Sequence, residues 1–260
     1  MLMHLCSGMK NSRNIMSSTV CLQMQTAKFI FAEVLMKDIL EYLADLEQSN
    51  NREWYHSNKE RRNRANTEFE HFLGDLIFAI GEFDDSVIHN DPKALTFKMV
   101  RDTRYSHDKS PYNPKFRAHI SSAGKLPIPV GYYIVIAPGN RSFLGGGLFA
   151  SMFKDATAMV RDYIAANGKR FNAIINEKAF IEHFVVKGEV LKNVPKDYDS
   201  TFPQAEYLKN KSWYLEHFIC DELIASSDNF TKQAAQIFRY MKPFNDYLNV
   251  ALSDFKMPER

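Results

Sequence analysis

The chain has 260 residues, of which 45% are hydrophobic and 25% charged, a globular composition that excludes a disordered or fibrous protein. Its net charge of +2 is too small for general attraction to nucleic acid or to an anionic membrane. The 3 cysteines lack C-x-x-C spacing and no apolar run reaches the roughly 18 residues that span a bilayer, so we expect a soluble, cytoplasmic protein without disulfides, structural zinc or a membrane partner.

Residues 1–35 differ in composition from the rest of the chain. Methionine, serine and asparagine are frequent there, and no acidic residue precedes Glu33. A transit peptide can have this composition, but we favour an over-extended start before Met36. We therefore treat residues 1–35 as an N-terminal extension. Residues 36–260 are expected to form one domain, because no linker rich in Gly, Ser or Pro divides them.

The first half of this domain is predicted to be helix followed by strands. Apolar residues recur at helical spacing from Met36 onward and predict a first helix. Residues 49–51 are expected to end this helix and to cap a second one, which is predicted over about 52–80. Residues 95–100 alternate as in a strand, with Leu95, Phe97 and Met99 on one face. A hairpin is predicted from 131–137 and 142–149 around Pro138-Gly139-Asn140.

The second half is predicted to be mainly helical. The predicted elements are a helix from Ser151 to Asn167-Gly168, a shorter helix at 171–184, a short helix with a capping box from Thr201 to Gln204, a strand at 212–219, and a helix at 229–252 that is kinked or interrupted before Pro243. Helices and strands do not alternate regularly. This order favours an α+β fold, with an antiparallel or mixed sheet and helices packed on it.

Cations are concentrated after the predicted strand at 95–100. Residues 98–119 contain 6 lysines and arginines against 2 aspartates, a local excess of +4. Guanidinium groups at a strand end can hold a phosphate or carboxylate through paired hydrogen bonds, and hydroxyl groups add further donors. The candidate ligand-binding residues are Arg101, Arg104, Tyr105, His107, Lys109 and Tyr112. Alternatively, Arg101 and Arg104 pair with Asp102 and Asp108 and pin a long loop.

The same segment carries a family resemblance. Arg101-Asp102-Thr103-Arg104-Tyr105-Ser106 followed by Asp108-Lys109-Ser110-Pro111-Tyr112 is similar to the hallmark of a widespread bacterial and fungal family of conserved hypothetical proteins, a domain of unknown function. Further matches lie at residues 50–54, 131–133, 145–147, 195–199 and 241–246. The chain departs from the family pattern at Asn113, where a basic residue is common, and at Asp197. The resemblance implies no activity, cofactor or substrate.

Other motifs support a function less strongly. The histidines lack metal-binding spacing, so no metal site is predicted, although Asp108 could orient His107 as a base. Gly145-Gly146-Gly147 could approach a phosphate, but lacks the spacing of nucleotide-binding loops, and a bulge or tight packing is favoured. No cofactor can be named from the sequence.

Three functions remain open. The first is binding of a small anionic ligand, with or without catalysis, through residues 101–112. The second is a noncatalytic interaction module in which these residues are a structural clamp. The third is nucleic-acid binding by Arg61, Arg62 and Arg64 together with the 98–117 cluster, which the near-neutral net charge disfavours.

Overall fold

The structure is a computed structural model that describes residues 36–149, 151–226 and 230–258. The extension predicted for residues 1–35 lies outside the described residues. The helices are α1 (36–48), α2 (Arg52–Ser57), α3 (Lys59–Gly81), α4 (Pro92–Leu95), α5 (Lys154–Ile175), α6 (Lys178–His183), α7 (Ala205–Leu208), α8 (Asp221–Ser226) and α9 (Phe230–Ala251). The strands are β1 (Phe116–Ile120), β2 (Tyr132–Ile136), β3 (Ser142–Leu148) and β4 (Trp213–Ile219). Within these ranges, every helix is too short or too polar to traverse a lipid bilayer.

The four strands form one antiparallel sheet in the order β1-β2-β3-β4. β2 and β3 form the predicted hairpin, which is confirmed, with Gly139 at φ 75° and Asn140 at φ 59° in its turn. β4 pairs with β3 after the helices α5, α6 and α7. The α+β prediction is confirmed, and of its two alternatives the antiparallel sheet is the one observed.

One face of the sheet, the inner face, packs against α3 and α9. Phe69 of α3 stacks on Phe116 of β1 with ring centroids 5.1 Å apart, and Phe238 of α9 lies 5.1 Å from Tyr132 of β2. α5 packs against α9. Because large aromatic side chains bury the most apolar surface per residue, these contacts are a main source of stability.

The opposite, outer face carries a different set of side chains. Alternation along the strands places there Arg117, His119, Tyr133, Val135, Phe143, Gly145, Tyr214, Glu216 and Phe218. This face includes charged residues and Phe218, which is 58% exposed. The two long helices that cover the inner face do not reach it. The outer face is therefore the side of the sheet that a ligand can approach.

The predicted strand at residues 95–100 is wrong. Asp91 accepts a hydrogen bond from the backbone N–H of Lys93 and Pro92 occupies the first helical position, so the chain forms the helical turn α4 up to Leu95. Thr96 and Val100 then make only isolated bridges, to Ala118 and Tyr112. Leu95 and Met99 are nevertheless buried, as their alternation indicated.

The predicted bounds of the helix after the hairpin are also wrong. Ser151 donates its hydroxyl to Glu189 (3.0 Å) and Phe153 occupies the N-cap position. α5 continues through Gly168 to Ile175, with a non-helical residue at Asn167. A Cβ on Gly168 would lie 2.4 Å from Gln204 Oε1, so close packing rather than helix termination requires this glycine.

The short helix predicted from Thr201 begins later. Thr201 donates its backbone N–H (2.8 Å) and its hydroxyl (2.7 Å) to Asp199, and α7 starts at Ala205. The final helix is present within the described residues as α9, but it continues through Pro243, so the interruption predicted there is wrong.

Candidate functional site

The segment 101–112 is held at both ends by backbone hydrogen bonds. Arg101 N–H donates to the carbonyl of Pro111 at 2.9 Å. The side-chain amide of Asn50 donates to the carbonyl of Tyr112 (2.9 Å) and accepts from its N–H (3.1 Å). The Tyr112 ring is buried and stacks on Tyr55 with centroids 3.7 Å apart. Tyr112 is therefore an anchor of the segment and not a residue that a ligand could contact.

Ion pairs inside the segment join the arginines to the aspartates. Arg101 pairs with Asp108 and also donates to the Ser106 hydroxyl at 3.3 Å. Arg104 pairs with Asp102, with its Nε 2.9 Å from Oδ1. Hydrogen bonds from Ser110 and Arg101 hold the pKa of the Asp108 carboxyl well below its usual range, and Arg104 lowers the pKa of Asp102. These are the contacts that the clamp hypothesis requires.

The six predicted ligand residues do not converge on one point. Arg104, His107 and Lys109 are exposed, Tyr105 is 95% exposed, and Lys109 donates to the carbonyl of Thr103 at 3.0 Å. Arg101 is half-buried and lines a cavity that the other five do not line. The structure therefore separates Arg101 from the other five predicted ligand residues.

This cavity, which we call the basic pocket, lies between the 101–112 segment and the outer face of β2 and β3. Its volume is about 360 Å³. Its walls are Glu47, Arg101, Asp108, Asn113, Pro114, Lys115, Val135, Ala137, Arg141 and Phe143. One side is thus apolar strand surface and the other side carries charges of both signs.

The charges of the basic pocket are unevenly paired. Arg101 pairs with Asp108, and Arg141 pairs with Glu47 at 2.5 Å. Lys115 is the third cation, and among the described residues its ammonium group has no hydrogen bond or ion pair. The pocket therefore contains two neutralised arginines and one lysine without a counter-charge.

The surroundings of Lys115 disfavour its charged form. Its side chain is half-buried, and burial lowers its pKa, as do the positive charges of Arg117, Arg141 and Arg101. Arg117 lies on β1, donates to the carbonyl of Lys98 at 3.3 Å and lies over the Phe97 ring. A bound anion would offset this repulsion.

Sequence reasoning missed the importance of Lys115 and Arg141. Lys115 contributed to the local charge excess but was not selected as a ligand residue, and Arg141 lies in the distant hairpin. No motif spacing links them. The strand register supplies the link, because the end of β2 pairs with the start of β1 on one side and with the start of β3 on the other. Lys115, just before β1, and Arg141, just before β3, therefore line the same pocket.

The glycine run of β3 serves packing. Gly145 faces the rings of Phe149 and Phe143, and a Cβ on Gly146 would lie 3.0 Å from Asn245 Oδ1 on α9. Gly147 has φ 88°, and a Cβ there would lie 2.4 Å from the carbonyl oxygen of Trp213. Tight packing, the favoured interpretation, accounts for all three positions.

The second basic run, on α3, is largely engaged within the protein. Arg61 pairs with Asp45 at 2.5 Å, and Arg62 donates to the carbonyl of Tyr55 and lies 4.2 Å above its ring. Arg64 is exposed. Two of these three cations thus have partners on neighbouring helices, and they do not form a continuous free basic surface.

The histidines that the structure describes do not gather into a metal site. Among the described residues, no group of three or more His, Cys, Asp and Glu side chains is placed to hold a metal ion. His119 is buried on β1. Burial lowers its pKa to about 4, although hydrogen bonds with the backbone of Leu126 and Lys125 oppose this effect.

Acidification is expected to weaken the fold through His119. Its pKa falls from about 6.5 in the unfolded chain to about 4 in the folded chain, so its neutral form is favoured by folding. The contribution of His119 to the free energy of unfolding is complete above about pH 6.5. As the pH falls from about 6.5 to about 4, the free energy of unfolding decreases by about 3 kcal/mol. Urea unfolding across this range measures the loss, which should be smaller in His119→Gln and unchanged in His71→Gln. An equal loss in wild type and His119→Gln would contradict the assignment.

Comparison with known proteins identifies a family. A family model described as "Conserved hypothetical protein (DUF2461)" matches residues 38–247. No curated protein and no solved structure matches the chain. The matched region contains all four strands and the basic pocket.

Proposed function

The chain belongs to the family of conserved hypothetical proteins DUF2461, and we propose that it binds a small molecule bearing a phosphate or carboxylate group in the basic pocket. The observation that carries the proposal is the half-buried Lys115, which has no ion-pair partner among the described residues. Partial burial of a cation without a counter-charge costs free energy, and an anionic ligand that supplies the missing charge would offset this cost.

The size and walls of the pocket also support a small ligand. A volume of about 360 Å³ lies in the range of small-molecule sites, which combine apolar walls with a few polar groups. Val135 and Phe143 supply the apolar wall, and Lys115 supplies the charge. Arg101 and Arg141 can add charge-assisted hydrogen bonds while they stay paired with their carboxylates, because a guanidinium has five N–H donors.

The ligand residues of the proposed site differ from those predicted from the sequence. Arg101 stays a ligand residue, whereas Lys115 and Arg141 replace Arg104, Tyr105, His107, Lys109 and Tyr112. The reason is location, since the exposed residues do not line the pocket and Tyr112 is buried beneath the segment.

Lys115→Met is expected to weaken anion binding without harming the fold. Thermal shift and calorimetric titration would compare inorganic phosphate, ribose 5-phosphate and succinate at constant ionic strength. We expect affinity for the best of these anions to fall by about tenfold or more, since a charge-assisted hydrogen bond contributes about 1.5–3 kcal/mol. The melting temperature without ligand should stay equal or rise, because an uncompensated charge is removed.

Lys109→Met is the matched control, because Lys109 is an exposed lysine of the same region that does not line the pocket. It should bind anions as the wild type does. If every tested anion binds Lys115→Met as tightly as it binds the wild type, the proposal is wrong.

A second candidate function is a noncatalytic interaction module. The observation that favours it is the pairing of Arg101 with Asp108 and of Arg104 with Asp102, which orders the segment without any ligand. Under this alternative the segment would be a rigid structural element, and the pocket would have no occupant.

The cytoplasm is the compartment that we propose for this function. In the described part of the chain, Cys220 is exposed and its thiol is free. Exposed free thiols are typical of a reducing compartment.

A further inference from the structure

The outer face of the sheet carries a cluster of aromatic rings, which we call the aromatic face: Tyr133, Phe143, Phe149, Tyr214 and Phe218. The rings form a continuous chain of contacts across three strands. Centroid distances are 5.8 Å for Phe143–Phe218, 6.0 Å for Tyr133–Phe143, 5.6 Å for Tyr133–Phe149 and 4.5 Å for Phe149–Tyr214.

This cluster is partly open to solvent. Phe218 is 58% exposed and Phe149 is 38% exposed, while Phe143 and Tyr133 are half-buried. The solvent face of an antiparallel sheet is ordinarily polar. A contiguous patch of large apolar side chains at such a place indicates a binding surface.

The aromatic face is continuous with the basic pocket. Phe143 lines the pocket and also contacts Phe218 and Tyr133. A ligand whose anionic group lies beside Lys115 therefore has an aromatic surface next to it. A cation also borders the rings, since Lys187 lies 5.3 Å from the Phe218 centroid.

We propose that the anionic ligand carries a planar aromatic ring that stacks on Phe143 and Phe218, as in a nucleoside monophosphate. This inference rests on the proposed function, because Lys115 and Arg101 would hold the phosphate. Aromatic side chains stack on any nucleobase through its π-face, and each such contact raises affinity by about tenfold. A free nucleotide is favoured over a nucleic-acid chain because the net charge of the protein is only +2.

The test compares ligands with and without the ring. Calorimetric titration of the wild type with UMP, AMP and ribose 5-phosphate should show about tenfold tighter binding of the nucleotides. In Phe218→Ala this advantage should shrink to near one, while ribose 5-phosphate binds as before. Phe78→Ala is the matched control, since Phe78 is 77% exposed on α3 and lies outside the aromatic face.

The outcomes separate this inference from the proposed function. If nucleotides and ribose 5-phosphate bind equally, and both lose affinity in Lys115→Met, the anion site stands and ring stacking is wrong. If neither binds the wild type, both proposals fail. A single-stranded tetranucleotide distinguishes a free nucleotide from a nucleic-acid chain as the ligand. If the tetranucleotide binds with an affinity similar to that of UMP, the ligand is a free nucleotide. If it binds more than tenfold more tightly than UMP, the preference for a free nucleotide is overturned.

Discussion

Gly147→Ala is expected to lower the free energy of unfolding by about 3 kcal/mol or more, for two independent reasons. The first is backbone conformation, since φ is 88° at Gly147 and any residue other than glycine is strained at this angle. The second is space. A Cβ would lie 2.4 Å from the Trp213 carbonyl oxygen and 3.0 Å from Tyr214 Cα on the paired strand. Urea unfolding followed by tryptophan fluorescence measures the change.

Gly139→Ala is the control that separates these two reasons. Gly139 also has positive φ, at 75°, but the atom nearest to an added Cβ is Arg141 Nε at 3.6 Å. We expect a loss of only about 1 kcal/mol, which is the conformational part alone. If Gly147→Ala costs no more than Gly139→Ala, then close packing of β3 on β4 does not require the glycine.

Arg101→Ala and Asp108→Asn are expected to change anion binding in opposite directions. Arg101→Ala removes a donor from the basic pocket and should weaken binding of phosphate about tenfold or more. Asp108→Asn removes a carboxylate that competes with the ligand for Arg101 and leaves the pocket more positive, so binding should become severalfold tighter. Titration of both variants with inorganic phosphate measures the effect.

The same pair of variants decides between the ligand site and the clamp. In a clamp, removing either partner of the Arg101–Asp108 pair lowers stability and leaves anion binding unaffected. Arg104→Ala is the control, because Arg104 pairs with Asp102 outside the pocket and its loss should not change phosphate affinity. Loss of stability in both Arg101→Ala and Asp108→Asn, with unchanged phosphate binding, would establish the clamp and contradict the ligand site.

Much of the fold was predictable because local chemistry and burial agree along most of the chain. The hairpin turn at Gly139 and Asn140 and the helix that contains Pro243 follow from residue patterns alone. Errors arose where two local signals competed. The alternation of Leu95, Phe97 and Met99 indicated a strand, but Asp91 and Pro92 favour a helical turn. Gly168 resembled a helix stop and is instead a close contact with Gln204 inside α5.

The candidate site was predictable only in part. Local charge excess drew attention to the region of Arg101, because charge is a property of composition. The direction in which each side chain points is not a property of composition, and five of the six chosen residues do not line the pocket.

By itself, the sequence determined the family, the α+β class, the β2–β3 hairpin and the charge of the segment at 101–112, since all of these depend on residue types and spacings along the chain. The tertiary structure alone decided that Arg101 and Arg141 line one pocket, that Lys115 lacks a partner among the described residues, and that Phe143 joins a basic pocket to an aromatic face. Sheet register and the folding-back of the segment bring these residues together. Local sequence patterns do not predict this arrangement, because it joins parts of the chain that are distant in sequence.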